Sequence, residues 1–153
     1  MRATEITRRD PAERRRDTLD RLGTERDVWL STSHPTHGPH QVPLWFAWDG
    51  EALWMCTGAT SATARNVGEE PRVRLSLPDT FDVVLLQGVA ELHPAEEAPA
   101  DAADAFMAKF GWDPRTEEAG YVYLRVEPTT VRAWRGEREL RGRVIMRDGV
   151  WVG

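Results

Sequence analysis

Cysteine and lysine are almost missing from this chain, with one of each, Cys56 and Lys109, among 153 residues. A single cysteine excludes an internal disulfide, and a thiol inside an apolar strand reads as core packing rather than as a nucleophile. No apolar run approaches the ~20 residues that a membrane-crossing helix needs, and the charged N-terminus is unlike a signal peptide. No membrane partner and residence in the cytoplasm are the expectations that follow. Also missing are a Walker loop, a Rossmann glycine fingerprint, a Ser-His-Asp set and paired carboxylates in a motif. Such a chain suits chemistry carried by a bound redox group, for which the protein supplies position, dryness and electrostatics. Positive charge is in deficit as well: the net charge of −5 favours solubility and argues against a nucleic-acid partner.

What is present fits one folded domain spanning 1–153, long enough for a single core. Residues 1–10 are polar and aperiodic and are expected to be disordered. Pro11 to Leu22 reads as a short amphipathic helix, with Pro at its start and Gly23 as its stop. Its Arg14-Arg15-Arg16 run is flanked by acids and is expected to be a solvated face. Asp27 to Ser33 is a first strand. His34, His37 and His40 recur at intervals of three, which invites a metal. Two prolines and a glycine make that segment a loop, however, and no carboxylate or cysteine stands beside it, so a plain hairpin turn is the preferred reading.

The densest information lies between Pro39 and Leu77. Two apolar runs, Gln41 to Trp48 and Ala52 to Thr57, flank Asp49-Gly50, a strong hairpin signal. Alternation places Val42, Leu44, Phe46 and Trp48 on one face and Gln41, Pro43, Trp45 and Ala47 on the other. Both faces are largely apolar, so the one outside the core needs a cover: a partner subunit, a helix or a planar aromatic ligand. Pro43 removes a ladder donor and marks an edge, a bulge or a close approach. The small-residue stretch Gly58 to Asn66 precedes a short helical turn and suits an anion, a phosphate in particular. Ser61 as an N-cap and Asn66 as the helix end is the plainer reading, and the two can coexist. Arg72 to Leu77 alternates as a half-buried strand.

Further on, Asp82 to Leu92 reads as a strand with Gly88 at a bulge. Ala95 to Phe110 reads as an amphipathic helix. Tyr121 to Val126 and Val131 to Trp134 read as one strand bent at Pro128. Residues 136–153 form an extension with a hairpin about Asp148-Gly149, expected to dock on the barrel or on a dimer partner. Arg135, Arg138, Arg141, Arg143 and Arg147 form the densest positive charge and are expected to guard a solvated edge.

The ordered set GPHQVPLWF, a D-G hairpin, TGATSATARN and PRVRL resembles the split β-barrel family of pyridoxamine-phosphate-oxidase-like proteins. Val84 to Glu91 and Tyr121 to Trp134 extend the likeness, which covers residues 27 to 135 and is strongest to actinobacterial flavin- and deazaflavin-dependent oxidoreductases. The resemblance implies a mainly β fold, a six-stranded antiparallel split β-barrel of the FMN-binding type, assembled as a homodimer with two sites at the subunit boundary. It implies coenzyme F420, or alternatively FMN, held by Val42, Pro43, Trp45, Thr57, Gly58, Ser61, Thr63, Arg65, Asn66 and Trp134, with hydride passed to a small-molecule substrate. A non-catalytic ligand-binding dimer is the alternative from another class. Relatives carry basic residues where this chain has Ser61 and Thr63, which leaves Arg65 as the cation of the turn.

Overall fold

The computed structural model describes residues 7–152. Helix α1 (Pro11–Thr24) begins where Asp10 accepts the Glu13 backbone N–H at 2.8 Å and Pro11 takes the first helical position. Eight strands follow among the described residues: β1 (Asp27–His34), β2 (Gly38–Trp48), β3 (Leu53–Gly58), β4 (Arg72–Ser76), β5 (Asp82–Pro94), β6 (Tyr121–Arg135), β7 (Val144–Arg147) and β8 (Val150–Trp151). Helix α2 (Ala62–Glu69) joins β3 to β4, and α3 (Ala100–Phe110) precedes β6.

The strands are antiparallel in the order β3-β2-β1-β4-β5-β6, and pairing of β3 with β6 closes them into a six-stranded barrel. Strands β7 and β8 continue the sheet beyond β6. Period-two alternation fills the interior: Val28 and Leu30, Phe46, Val73 and Leu75, Val84 and Leu86, and Leu124 and Val126 all point into one core. A second cluster of Trp54, Cys56, Tyr123, Ala103 and Phe106 lies outside the barrel wall under α3. Strand β3 is therefore buried on both faces.

The barrel opens along one seam. β2 keeps eight pairs with β1, from Asp27↔Trp45 to His34↔Gly38, but only three with β3, at Phe46↔Met55, Ala47↔Trp54 and Trp48↔Leu53. Beyond Phe46 the two strands part, while β3 stays paired to β6. Helix α2 packs against β1, β5 and β3, its Val67 in the core and the Asn66 side chain donating to Thr32 Oγ1 at 3.1 Å.

Four local expectations change. The helix expected over 95–110 is a 3-10 turn at Ala95–Glu97 followed by α3, because Pro99 disfavours helical backbone in the residue before it. Of the segment expected to be disordered, 1–6 lie outside the described residues, while Arg9 is buried against Glu139 and Asp10 caps α1. Arg14 is buried rather than solvated: it shares a helix face with Thr18 and Leu22, and its Nη1 donates to the Ala133, Glu139 and Gly142 carbonyls. Helix α2 continues past Asn66 to Glu69. The C-terminal hairpin docks on its own subunit, Val131↔Met146 and Arg132↔Val144, with Asp148 and Gly149 at positive φ in its turn.

Candidate functional site

Where β2 leaves β3, the outward face of β2 has lost its neighbour. Pro43 and Trp45 point outward there, and Trp45 keeps 42% of its surface exposed. On β1 the same alternation turns Trp29 out opposite Pro43, 41% exposed. Helix α3 supplies part of the cover: the Phe110 ring lies parallel to Trp45, centroids 4.7 Å apart and planes 2° apart, and the Arg26 guanidinium stands over both rings. Between the parted strands lies a cavity of about 320 Å³ walled by Pro43, Leu44, Trp45, Cys56, Phe106 and Trp112, with Asp27 at its edge. Burial pushes the Cys56 thiol up to about 12, so it is a neutral wall and not a nucleophile. Across the β3–β6 ladder from Cys56, Tyr123 is fully buried, and its hydroxyl has no hydrogen-bond partner among the described residues.

The turn after β3 is held by its own side chains. Ser61 caps α2 by accepting the Ala64 N–H at 3.1 Å, and its hydroxyl lies 3.2 Å from that of Thr57. Thr63 is buried, Asn66 is engaged by Thr32, and one Arg65 nitrogen donates to the Thr60 carbonyl. Gly58 ends β3 opposite Tyr121. Arg65 itself is exposed, and with Asn66 it faces the tip of the β1–β2 hairpin across a second cavity of about 250 Å³, whose other wall carries His34, His37 and His40.

The residues singled out in the sequence thus fall into groups. Pro43 and Trp45 share the seam cavity; Arg65 and Asn66 share the hairpin cavity; Thr57, Gly58, Ser61 and Thr63 build the turn near it. Val42 packs inward against the core. Trp134 stands twelve residues along β6 from the Val122 that pairs with Thr57; it is opposite Val83, with the Arg143 guanidinium 5.9 Å from its ring. One protomer does not bring it to either cavity. Sequence reasoning missed Trp29, which strict alternation in β1 marks, and Phe106, Phe110 and Trp112, whose late clustering marks an aromatic face on and just after α3. The histidines form no metal cluster, as no group of three or more His, Cys, Asp or Glu among the described residues stands close enough for an ion.

The seam cavity is walled mainly by apolar and aromatic side chains, and the hairpin cavity holds the Arg65 guanidinium. The two cavities occupy consecutive stretches of β2, His40 lining one and Pro43 the other, and they share no lining residue. The model for the family described as pyridoxamine 5'-phosphate oxidase matches residues 18–135. Among solved structures, an F420 reductase is 25% identical, covering 73% of this chain and 93% of its own at a TM-score of 0.60. A putative pyridoxamine 5'-phosphate oxidase from Listeria innocua shares the fold at 17% identity and TM-score 0.63, over 77% of this chain and 95% of its own. So does a conserved hypothetical protein from Mycobacterium tuberculosis, at 22% identity and TM-score 0.65, over 90% and 91%. No curated protein matches the chain in sequence.

Proposed function

The chain belongs to the pyridoxamine 5'-phosphate oxidase family, and from that premise we propose that it is a flavin- or deazaflavin-dependent oxidoreductase, with coenzyme F420 as cofactor and a small organic hydride acceptor. The observation that carries this reading is the seam: an aromatic-walled slot on an otherwise closed barrel, next along β2 to a cavity that holds a guanidinium. When bound, the ring supplies hydride chemistry. The chain's part is to hold it between Pro43, Trp45 and Cys56, to keep water off one face with Phe106 and Trp112, and to anchor the tail near Arg65 and the Ser61 turn. In a homodimer with paired sites at the subunit boundary, Trp134 would enter the partner's site, since its own protomer holds it away from both cavities. The exposed Trp29, Pro43 and Trp45 supply apolar surface for that contact.

FMN is the alternative cofactor and reports itself as a yellow preparation. A non-catalytic binding dimer is the second reading; the internal satisfaction of Ser61, Thr57 and Asn66 favours it, because it weakens the grip on a phosphate. Titration with oxidised coenzyme F420 tests the choice. Quenching that saturates at micromolar concentration, about 8 kcal/mol of binding, is the expected outcome. No saturation by either F420 or FMN up to about 1 mM, where binding is worth about 4 kcal/mol, removes the cofactor assignment. Binding without reduction of any acceptor in a broad panel leaves the non-catalytic dimer.

A further inference from the structure

The outward faces of β1, β4 and β5 carry a row of polar side chains that the seam does not use. Ser31 pairs with Gln41 on one side and with Arg74 on the other, and Arg74 pairs with Gln87, so the four side chains stand in register on one surface. Ser31, Arg74 and Gln87, with Arg72 from β4 and Glu69 and Glu70 from the end of α2, line a cavity of about 740 Å³. Arg65 does not line it, and the seam cavity shares none of its walls.

This row is rich in donors and poor in free acceptors. Arg72 is ion-paired to Glu70, whereas Arg74 is exposed and has no hydrogen bond or ion pair among the described residues. Arg132 donates to Gln87 Oε1, which leaves the Gln87 amide N–H groups unclaimed; Gln41 Nε2 donates to Ser31 Oγ, which leaves the Ser31 hydroxyl proton unclaimed. A carboxylate matches that set, because it is planar, accepts only and carries one charge, and a guanidinium grips it through two parallel bonds. A phosphate dianion matches it less well: Arg72 is already neutralised, and Glu69, the unpaired acid of the lining, opposes a second negative charge.

The next row along the same strands is apolar on two of its three members, Trp29 being paired with Pro43 and with Ser76. It lies two residues, about 7 Å, from Ser31 and Arg74, and Trp29 is 41% exposed. Away from Trp29 the lining is charged. An apolar body attached to a carboxylate at Arg74 is therefore favoured over Trp29, on the side of the seam.

We propose that this groove binds a small organic carboxylate, held by Arg74, the Gln87 amide and the Ser31 hydroxyl with its apolar body over Trp29, and that the carboxylate is the handle of the hydride acceptor. The second half rests on the proposed function; the first rests on the groove alone. In that reaction an unsaturated carbon of the acceptor gains the hydride and its neighbour a solvent proton, while the reduced ring gives up the same two electrons and the carboxylate is unchanged.

Benzoate is the probe, with benzamide as its uncharged counterpart, each titrated by calorimetry at low salt. Benzoate is expected to bind at least about tenfold more tightly than benzamide, the scale of one charged hydrogen bond. Arg74→Gln should lower benzoate affinity about tenfold. Arg147→Gln removes an exposed, unpartnered cation outside the cavity and should leave benzoate affinity within about twofold, the remainder being long-range charge. A thermal melt of each variant checks that it is folded. Benzoate affinity unchanged by Arg74→Gln, equal losses in both variants, or inorganic phosphate binding more tightly than benzoate overturns the site. Light scattering checks the other occupant: a mass in solution altered by Arg74→Gln means that this face packs on a second copy, which also overturns it. Benzoate bound where neither F420 nor FMN binds keeps the site and removes its link to the acceptor. F420 bound where benzoate does not bind removes the site and leaves the cofactor assignment standing.

Discussion

Glu139 has no exposed surface, and every one of its side-chain hydrogen bonds is to Arg9, far from it in the chain, or to the end of the strand it follows. It accepts the Arg9 backbone N–H at 2.8 Å, Arg9 Nε and Nη2 at 3.0 and 2.7 Å, and the Arg135 N–H at 2.8 Å. Burial alone raises such a carboxyl; the Arg9 and Arg135 donors and the Arg9 charge outweigh it and hold the group down at about 2, against an ordinary 4.5. A depressed carboxyl stabilises the fold fully above its ordinary value and loses that contribution as pH falls through the folded one. Stability should therefore drop between about pH 4.5 and 2, by up to about 3 kcal/mol from this group. Glu139→Gln leaves Arg9 with Asp17 at 3.1 Å as its nearest anion, and is expected to cost about 3 kcal/mol at neutral pH. A urea midpoint equal to that of the native chain at pH 7 would show that the ion pair is idle. Nothing in the local sequence marks Glu139, since Glu-Arg-Glu before a leucine reads as solvated loop. Its meaning comes from a partner 130 residues away, which no spacing rule reaches.

At the scale of elements, the chain spells out its strands and hides how they join. Alternation and the Asp49-Gly50 and Asp148-Gly149 turns mark each strand to within a few residues, because side-chain period and turn chemistry are local properties. Pro99 is equally local: it disfavours helical backbone at Ala98 and so divides Ala95 to Phe110 into a 3-10 turn and α3. Closure of β3 on β6 and the parting of β2 from β3 are long-range outcomes, so the seam is implied only by resemblance until the pairing is seen. The bulge at Gly88 is where local and long-range demands meet. The β5–β6 register shifts between Gln87 and Gly88 and passes over Thr129; a Cβ on Gly88 would lie 2.6 Å from the Glu127 carbonyl oxygen and 2.8 Å from Val126 Cγ1. A backbone oxygen cannot swing aside as a side chain can, so Gly88→Ala should destabilise by about 1–3 kcal/mol. Gly68→Ala in α2 meets only Leu92 Cδ1, at 3.9 Å, and should stabilise by about 0.5 kcal/mol through helix propensity. Opposite shifts in melting temperature are expected, and equal shifts would mean that the bulge tolerates a side chain.

For the whole molecule, the division of the candidate site residues among two cavities, the turn beside them and one remote tryptophan sets a question of symmetry. Pro43, Trp45 and Arg65 line the two cavities, and their exposure is legible in local patterns, an apolar outward strand face and a small-residue turn. Trp134 was placed with them by resemblance, and the protomer leaves it at the far end of β6. If a two-fold dimer brings the Trp134 of one protomer to the Trp45 of the other, each ring site is built from two chains. Trp45→Ala and Trp134→Ala homodimers then both bind F420 weakly, since each has lost one wall from every site. A purified heterodimer with one variant in each protomer distinguishes the arrangements. When the two tryptophans meet across the boundary, both substitutions fall in the same site and the other site keeps both rings, so native affinity returns at one site per dimer. When they act within one chain, or when Trp134 serves only the packing of Arg143, no site regains what the Trp45→Ala homodimer lost beyond the native Trp45 of its partner, and the heterodimer shows no gain over the better of its parents. Titration stoichiometry, rather than affinity alone, reads the difference, because only the shared site restores a full-strength class of binding from two defective chains.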